Sequence, residues 1–309
     1  MNYKRTPDAI LIGYKKVATT SLRNMFSLHP EINWSRKAHY FISAEFDEMD
    51  SEKYLSQFEN EVTPCFIDMF EGLSIGMIHS QKNVQDRLDF VPGESFENYH
   101  IEPNPSEVAF RIKKVIPDAK IIIMIRNQED WLRSYYLHHI NDCPEYKRGF
   151  TDFLNTIEGK SALNAGLYNY HIESYFKLFG KENVHVILIE KLKTEQEKTM
   201  RCLCEFLNIS FHPVTGDSVQ KNKGRGTMNG NLVRLLSGFG ISDRFIAKVR
   251  PALEPLRGYA MRNSYFQKII NKDVINKSEK YMINSFYSAS NFHTSKLLGV
   301  NLKKFGYPL

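Results

Sequence analysis

Long hydrophobic runs are absent from this chain of 309 residues. Its most apolar stretch, residues 121–125, is far shorter than the ~20 residues needed to cross a bilayer. Residues 1–8 also lack the hydrophobic region and the small-residue cleavage site of a signal peptide. Because 42% of the residues are hydrophobic and 25% are charged, the composition is that of a globular chain. We expect a cytoplasmic protein without a transmembrane segment.

Cysteine is scarce, and its spacing is irregular. The four cysteines are Cys65, Cys143, Cys202 and Cys204. They are too few for a disulfide framework in a chain of this length, so we expect reduced thiols. The last two cysteines lie in a helical pattern with no nearby histidine or second cysteine pair. We therefore predict ordinary thiols there, and no metal.

Acidic residues are scarce in the last third of the chain. Residues 221–309 contain 16 Lys and Arg against 4 Asp and Glu, a net charge of +12, whereas residues 1–220 carry −6. Such a field favours an anionic ligand, which could be nucleic acid, a phosphate-rich cofactor, an acidic polysaccharide or a lipid surface. We predict a basic helical part from about residue 228, with peripheral membrane contact as one use for it.

No repeat, low-complexity tract or flexible linker divides the sequence, which favours a single domain over residues 1–309. Short apolar runs typical of strands buried on both faces alternate with helical segments. These runs are residues 9–12, 65–67, 120–125 and 184–189. The alternation predicts a P-loop-like α/β fold with a central, mainly parallel sheet flanked by helices.

Two helices have clear amino-terminal signals. Asn104 is a capping residue followed by Pro105 at the first helical position, and this helix should end near Val115. Residues 194–197 form a second capping box, with Thr194 as the cap of a helix that ends near residue 207.

The strongest local signal, residues 13–22, is a tight loop between the first strand and a helix. Backbone N–H groups in such a loop can cradle a phosphate. Compared with the nucleotide-hydrolase pattern G-x-x-x-x-G-K-[ST], Ala18 replaces the second glycine and Thr19 replaces the lysine, which disfavours an ATPase or GTPase. The alternative is a strand-to-helix turn without a ligand. The candidate phosphate-binding residues are Lys16, Val17, Ala18, Thr19, Thr20 and Ser21.

Two further segments are candidate anion sites. Arg126 ends the third strand and Ser134 follows eight positions later on the next helix, so a guanidinium fork and a hydroxyl could meet at one anion. An arginine–carboxylate pair beside a solvent-facing serine is the alternative. Lys223, Gly224 and Arg225 form a basic, glycine-containing loop. A nucleotide with phosphates at both ends of its ribose would explain all three sites together.

These segments resemble the sulfotransferases that use 3′-phosphoadenosine 5′-phosphosulfate (PAPS), particularly the glycan-modifying branch and its bacterial relatives. The resembling segments are residues 11–22, 29–32, 117–134, 180–208, 223–225 and 298–308. Ala18 stands where the family usually has glycine, and Gln128 stands where it commonly has proline. The resemblance implies PAPS as sulfate donor, adenosine 3′,5′-bisphosphate (PAP) as product, and a carbohydrate or glycolipid acceptor, without metal or nucleic acid.

The resemblance also implies roles for the candidate residues. Lys16 would neutralise the leaving group while the following loop holds the 5′-phosphosulfate, and Arg126 with Ser134 would bind the 3′-phosphate. Residues 223–225 resemble a loop that clamps the cofactor. Glycan sulfotransferases often carry a general-base glutamate in K-E-x-H-F-F, and Lys37 occupies its place in residues 36–41.

For the base we favour His39, because an imidazole can accept a hydroxyl proton at neutral pH. Asp68, expected at the end of the second strand, and Glu94 are the next candidates. Two other functions are weighed against sulfate transfer. A P-loop kinase or nucleotide hydrolase lacks support because the G-K-[ST] sequence and a clear Mg²⁺ motif are missing. A non-catalytic polyanion-binding protein is supported only by the basic last third.

Overall fold

The computed structural model describes residues 5–36, 38–42, 46, 51–58, 61–71, 78–80, 99–101, 105–139, 149–213 and 274–309. The predictions for Lys37, Glu94, Asn104 and residues 223–225 lie outside these residues, as does most of the predicted basic helical part. The strands are β1 (Ala9–Gly13), β2 (Ile32–Trp34), β3 (Cys65–Glu71), β4 (Ile78–Ser80), β5 (Tyr99–Ile101), β6 (Lys120–Ile125) and β7 (Val184–Leu188).

Helices alternate with the strands along the chain. They are α1 (Thr19–Phe26), α2 (Ser51–Leu55), α3 (Pro105–Val115), α4 (Gln128–His139), α5 (Phe150–Asn155), α6 (Ile157–Ala165), α7 (Tyr168–Phe179), α8 (Ile189–Thr194), α9 (Gln196–Leu207) and α10 (Lys277–Leu298). Among the described residues, no helix combines the length and apolar composition needed to cross a membrane.

Five strands form one sheet in the order β2-β3-β1-β6-β7, and every neighbouring pair is parallel. Every residue of β1 is buried, as are five of the six residues of β6, because both faces of these strands are covered. The prediction of a mainly parallel α/β sheet flanked by helices is confirmed. Separately, β4 and β5 form an antiparallel ribbon.

The register of the sheet determines where the site can form. Gly13, the last residue of β1, lies opposite Met124 of β6 and Glu71 of β3. The segments that follow these three strands therefore leave the sheet at the same edge. Ligands of parallel α/β sheets bind at this carboxyl edge, so the loop after β1 and the segment after β6 are placed to act together.

The prediction that Asp68 ends its strand is wrong. β3 is four residues longer than the predicted strand 65–67, and Asp68 pairs with Ile10 inside the sheet. Its side chain is fully buried and accepts hydrogen bonds from Ser35 Oγ and from Tyr54 OH, the latter at 2.8 Å. These donors allow a carboxylate to continue an apolar strand and hold it away from solvent.

The structure confirms one predicted helix and corrects the start of the other. α3 ends at Val115, as predicted. Thr194 does not cap α9, because it is the last residue of the short helix α8 and its Oγ1 donates to the Glu190 carbonyl at 3.0 Å. Glu195 separates the two helices and makes no side-chain cap. The capping-box pattern therefore marked a junction between helices.

Candidate anion-binding site

The loop after β1 turns sharply into α1 through two residues with left-handed backbone. Lys16 has φ 74° and Ala18 has φ 63°, and the Ser21 N–H donates to the Ala18 carbonyl at 2.9 Å. Helix geometry leaves the N–H groups of a first turn without intrahelical acceptors, and the helix dipole favours negative charge there. The predicted phosphate-binding loop therefore has the backbone form of an anion cradle.

Close packing at the end of β1 requires glycine. A Cβ on Gly13 would lie 2.6 Å from Thr19 Cγ2, so no other residue lets the loop close over the strand without a shift. The hydroxyl residues of this segment differ in exposure. Thr19 is 2% exposed and Ser21 is 5% exposed, whereas the Thr20 side chain is exposed. Of these three hydroxyl residues, Thr20 is therefore the one whose side chain is exposed.

Side chains from the segment after β6 bind the backbone of this loop. Arg126 Nη1 donates to the Lys16 carbonyl at 3.1 Å, and Trp131 Nε1 donates to the Lys15 carbonyl at 2.8 Å. The two motifs, which the sequence presents as separate segments, are therefore in direct contact in the structure. Both contacts end on carbonyl oxygens, so neither of them uses an N–H group of the loop.

Only some of the hydrogen-bond donors of the Arg126 guanidinium have a partner among the described residues. Its Nε atom is buried and has no hydrogen-bond partner among the described residues. Its ion pair with Asp130 is long, with Nη2 3.8 Å from a carboxylate that is 54% exposed. A buried donor without an acceptor costs about 1–3 kcal/mol, or more when it is charged. An anion beside Arg126 would supply the acceptor.

Ser134 lies on the same face of α4 as Trp131, which contacts the loop. It follows Asp130 by four positions and Trp131 by three, spacings that place side chains on one helix face. Its side chain is 9% exposed. Ser134 therefore lies on the α4 face that carries Trp131, whereas Arg126 precedes the helix by two residues. That Arg126 and Ser134 meet at one anion stays a prediction.

Aromatic rings pack around Tyr14, the second residue of the loop segment. The Tyr14 ring lies 5.4 Å from Trp131, 5.3 Å from Tyr168 and 5.5 Å from His171, measured between ring centroids. The Tyr168 hydroxyl donates to the Arg126 carbonyl at 2.7 Å. Burial raises the pKa of Tyr168, so its hydroxyl remains a donor at neutral pH. Tyr168 is a fully buried support of the site.

His171, one of these rings, makes stability depend on pH. The ring is fully buried, neither nitrogen has a partner among the described residues, and burial lowers its pKa to about 3. The unfolded chain takes up a proton near pH 6.5, so it binds more protons than the folded chain as the pH falls. Lowering the pH from about 7 to about 5 should cost about 2 kcal/mol of unfolding free energy through this ring alone.

Urea unfolding at these two pH values measures the effect. We expect His171→Phe to be less sensitive to pH than the wild type, whereas the same change at the exposed His293 of α10 leaves the wild-type sensitivity. Equal pH dependence in wild type and His171→Phe would contradict a neutral, buried His171.

Ala18 occupies a conformation that favours glycine. For a residue with a Cβ, the left-handed conformation of Ala18 is unfavourable by about 1–2 kcal/mol. This exceeds the free energy by which glycine stabilises the unfolded chain through its greater conformational entropy. Ala18→Gly should therefore raise the unfolding free energy by about 0.5 kcal/mol in urea titrations. The same replacement at the exposed Ala289 of α10 should lower it by about 1 kcal/mol. A loss at both positions would contradict this account of the loop.

The favoured base candidate lies in a short turn that follows β2. His39 belongs to the 3₁₀ turn Ala38–Ile42, which packs against β3 and α3. Asp68, the second candidate, is held by Ser35 and Tyr54 inside the sheet. Of these two, His39 is the candidate that does not lie within a central strand.

A helix amino terminus after the first strand, joined to an arginine after a neighbouring strand, is an arrangement on an α/β fold that suits an anionic ligand. The comparison with known families agrees with this fold. The family model described as "Sulfotransferase domain" matches residues 6–231, and the chain belongs to the sulfotransferase family.

Individual relatives are distant. A bifunctional heparan sulfate N-deacetylase/N-sulfotransferase 1 of Caenorhabditis briggsae is 23% identical over 231 residues, which are 68% of this chain and 23% of that protein. A luciferin sulfotransferase of Photinus pyralis is 22% identical over 307 residues, 96% of this chain and 76% of that protein. A sulfotransferase structure from Alicyclobacillus acidocaldarius is 21% identical, with a TM-score of 0.47 over 77% of this chain and 97% of that one. The chain spans about a quarter of the length of the bifunctional relative.

Proposed function

We propose that this protein transfers the sulfuryl group of PAPS to a hydroxyl group of a carbohydrate or glycolipid. The observation that carries the proposal is the Arg126 guanidinium, which binds the phosphate loop through Nη1 and has a buried, unpartnered Nε. A donor with phosphate groups at both ends of its ribose suits this arrangement. Its 5′ end would bind at the start of α1, and its 3′-phosphate would bind Arg126 and Ser134.

The loop holds the 5′ end mainly through its backbone. The N–H groups of residues 18–20 would donate to an anion at the start of α1, since those of Val17 and Ser21 donate to carbonyls of the loop itself. The Thr20 side chain, which is exposed, would add its hydroxyl. Such preorganised donors stabilise developing charge without further rearrangement. Because sulfuryl transfer needs in-line positioning and charge stabilisation, this cradle supplies a large part of what the reaction requires.

Lys16 has the leaving-group role in this proposal. Its ammonium group neutralises the charge that develops on the bridging oxygen as the sulfur–oxygen bond breaks. The acceptor oxygen forms the new bond to sulfur, and the electron pair of the broken bond stays on the 5′-phosphate. His39 takes the proton of the acceptor hydroxyl. Residues 223–225 are assigned to nucleotide binding by their resemblance to the family's cofactor loop.

The charge of the chain and the names of two relatives bear on the class of the acceptor. The last 89 residues carry a net charge of +12, which attracts an acidic glycan. The Caenorhabditis briggsae relative is named for heparan sulfate, an acidic polysaccharide, whereas the Photinus pyralis relative is named for luciferin. We therefore favour a carbohydrate acceptor and include small hydroxyl compounds in the test.

The test is incubation of the purified protein with sulfate-labelled PAPS and a panel of oligosaccharides, acidic polysaccharides, glycolipids and small alcohols. Transfer of label to a carbohydrate supports the proposal, and transfer only to a small alcohol supports the enzyme class and overturns the acceptor class. Magnesium-dependent release of phosphate from ATP, without label transfer, would contradict the proposal and favour a P-loop kinase or hydrolase.

A further inference from the structure

The carboxyl-terminal residues bind the chain segment that carries Arg126. Asn127 Nδ2 donates to the Gly306 carbonyl at 2.5 Å, and Asn291 Nδ2 donates to the Pro308 carbonyl at 2.9 Å. Tyr307, between these two contacts, is 2% exposed. Residues 306–308, which we call the terminal segment, are therefore packed against the start of α4.

Glu190 connects the terminal segment to the backbone after β6. Its Oε2 accepts a hydrogen bond from the Tyr307 hydroxyl at 2.9 Å, and its Oε1 accepts one from the Asn127 N–H at 3.0 Å. Both carboxylate oxygens are thus used. Burial and the neighbouring Glu190 raise the pKa of Tyr307, so its hydroxyl remains a donor at neutral pH.

The Arg126–Asn127 peptide group is bonded on both sides by side chains. Its carbonyl accepts from the Tyr168 hydroxyl at 2.7 Å, and its N–H donates to Glu190 at 3.0 Å. This peptide group lies just beyond the last paired residue of β6, where the sheet no longer supplies backbone partners. The two side chains fix the peptide plane, and with it the direction in which the Arg126 side chain leaves the backbone.

A second set of bonds secures the start of α4. Gln128 is fully buried, and its amide pairs with that of Asn291 through bonds of 2.7 Å and 3.1 Å. Gln128 Nε2 also donates to the Gly166 carbonyl at 3.1 Å. Because Asn291 also holds Pro308, the terminal segment and α10 together restrain the two residues that follow Arg126.

We propose that the terminal segment and Glu190 position Arg126 for the 3′-phosphate of the nucleotide. The proposal rests on the proposed function, which assigns that phosphate to Arg126. Glu190 and Tyr307 are positioning residues, because their side chains contact the peptide group beside Arg126 and each other. The contacts run from Tyr307 through Glu190 to the Arg126 peptide group, and from Arg126 Nη1 to the Lys16 carbonyl.

The first test removes one hydroxyl group. With Tyr307→Phe, we expect the Kd for PAP to rise about tenfold, because one hydrogen bond to the half-buried Glu190 carboxylate is lost and Arg126 is less well oriented. The Kd for adenosine 5′-phosphate, which lacks the 3′-phosphate, should change less than about twofold. Tyr281→Phe is the matched control, since Tyr281 is 76% exposed on α10. Calorimetry is performed well below the melting temperature of each variant.

Two substitutions of Glu190 distinguish the loss of its hydrogen bonds from the loss of its charge. In Glu190→Gln, the amide oxygen can still accept from the Asn127 N–H while the amide nitrogen donates to the Tyr307 oxygen. We expect this variant to bind PAP within about threefold of the wild type. Glu190→Ala, which removes both contacts, should weaken PAP at least as much as Tyr307→Phe.

The comparison of two nucleotides distinguishes failure of this inference from failure of the proposed function. A wild type that binds PAP and adenosine 5′-phosphate equally would overturn the assignment of the 3′-phosphate to Arg126. A wild type that prefers PAP, with Tyr307→Phe keeping the full preference, would overturn only the positioning role. Equal weakening of both nucleotides in Tyr307→Phe would also overturn it, because that is the effect of a general structural defect.

Discussion

Replacing Lys16 with methionine should lower kcat for sulfate transfer about a thousandfold, because the charge that stabilises the leaving oxygen is removed. Methionine keeps an unbranched side chain, so the left-handed backbone at this position, with φ 74°, is no more strained than with lysine. The backbone cradle remains, and the Kd for PAP should therefore stay within about threefold of the wild-type value. Single-turnover kinetics with labelled PAPS and calorimetry with PAP measure the two effects separately.

The matched control is Lys198→Met on α9, where the lysine is 77% exposed. It removes the same charge from an exposed position on another helix and should leave both kcat and Kd unchanged. Lys16→Met with wild-type kcat would contradict the leaving-group role. A variant that loses PAP binding as strongly as turnover would instead make Lys16 a binding residue.

Replacing Arg126 with glutamine should weaken PAP about 100-fold, since charge-assisted hydrogen bonds to an anion are lost. The side chain also bonds the Lys16 carbonyl at 3.1 Å, so the loop loses one anchor as well. Adenosine 5′-phosphate should lose less than about fivefold, which reflects only that anchor. Competition calorimetry gives both affinities for each protein.

The control for Arg126 is Arg201→Gln on α9. Arg201 is 52% exposed and pairs with Glu197 at 2.7 Å, and an exposed ion pair of this kind contributes little. Its replacement should leave both nucleotide affinities at wild-type values. Equal losses of PAP and adenosine 5′-phosphate in Arg126→Gln would show that Arg126 only supports the loop.

The central strands could be predicted from sequence because hydrophobicity alone marks them. The runs at residues 9–12 and 120–125 are apolar at almost every position, as strands buried on both faces must be. β2 has only three residues, too few to show a periodicity, and it was not predicted. The continuation of β3 beyond residue 67 was not predicted, because the carboxylate of Asp68 interrupts the apolar pattern. The hydrogen-bond donors that allow Asp68 to be buried come from other segments of the chain.

The sequence predicted the separate segments of the candidate site, but it did not predict the contact between them. The glycine-initiated loop and Arg126 each follow a recognisable strand. The contact that joins them ends on the Lys16 backbone carbonyl, an acceptor that every residue possesses and that leaves no signal in the sequence. Glu190 likewise reaches Asn127 across 63 positions of the chain, and Tyr307 reaches Glu190 across 117, where no spacing rule applies.

Calorimetric titration of PAP into the purified protein tests the central claim most directly, with Mg²⁺-ATP as the parallel ligand. The account predicts saturable binding of one PAP per chain, with Mg²⁺-ATP binding much more weakly, because the loop and Arg126 are arranged for phosphates at both ends of one ribose. Titration of PAP without any heat of binding, confirmed at a second temperature, would contradict it.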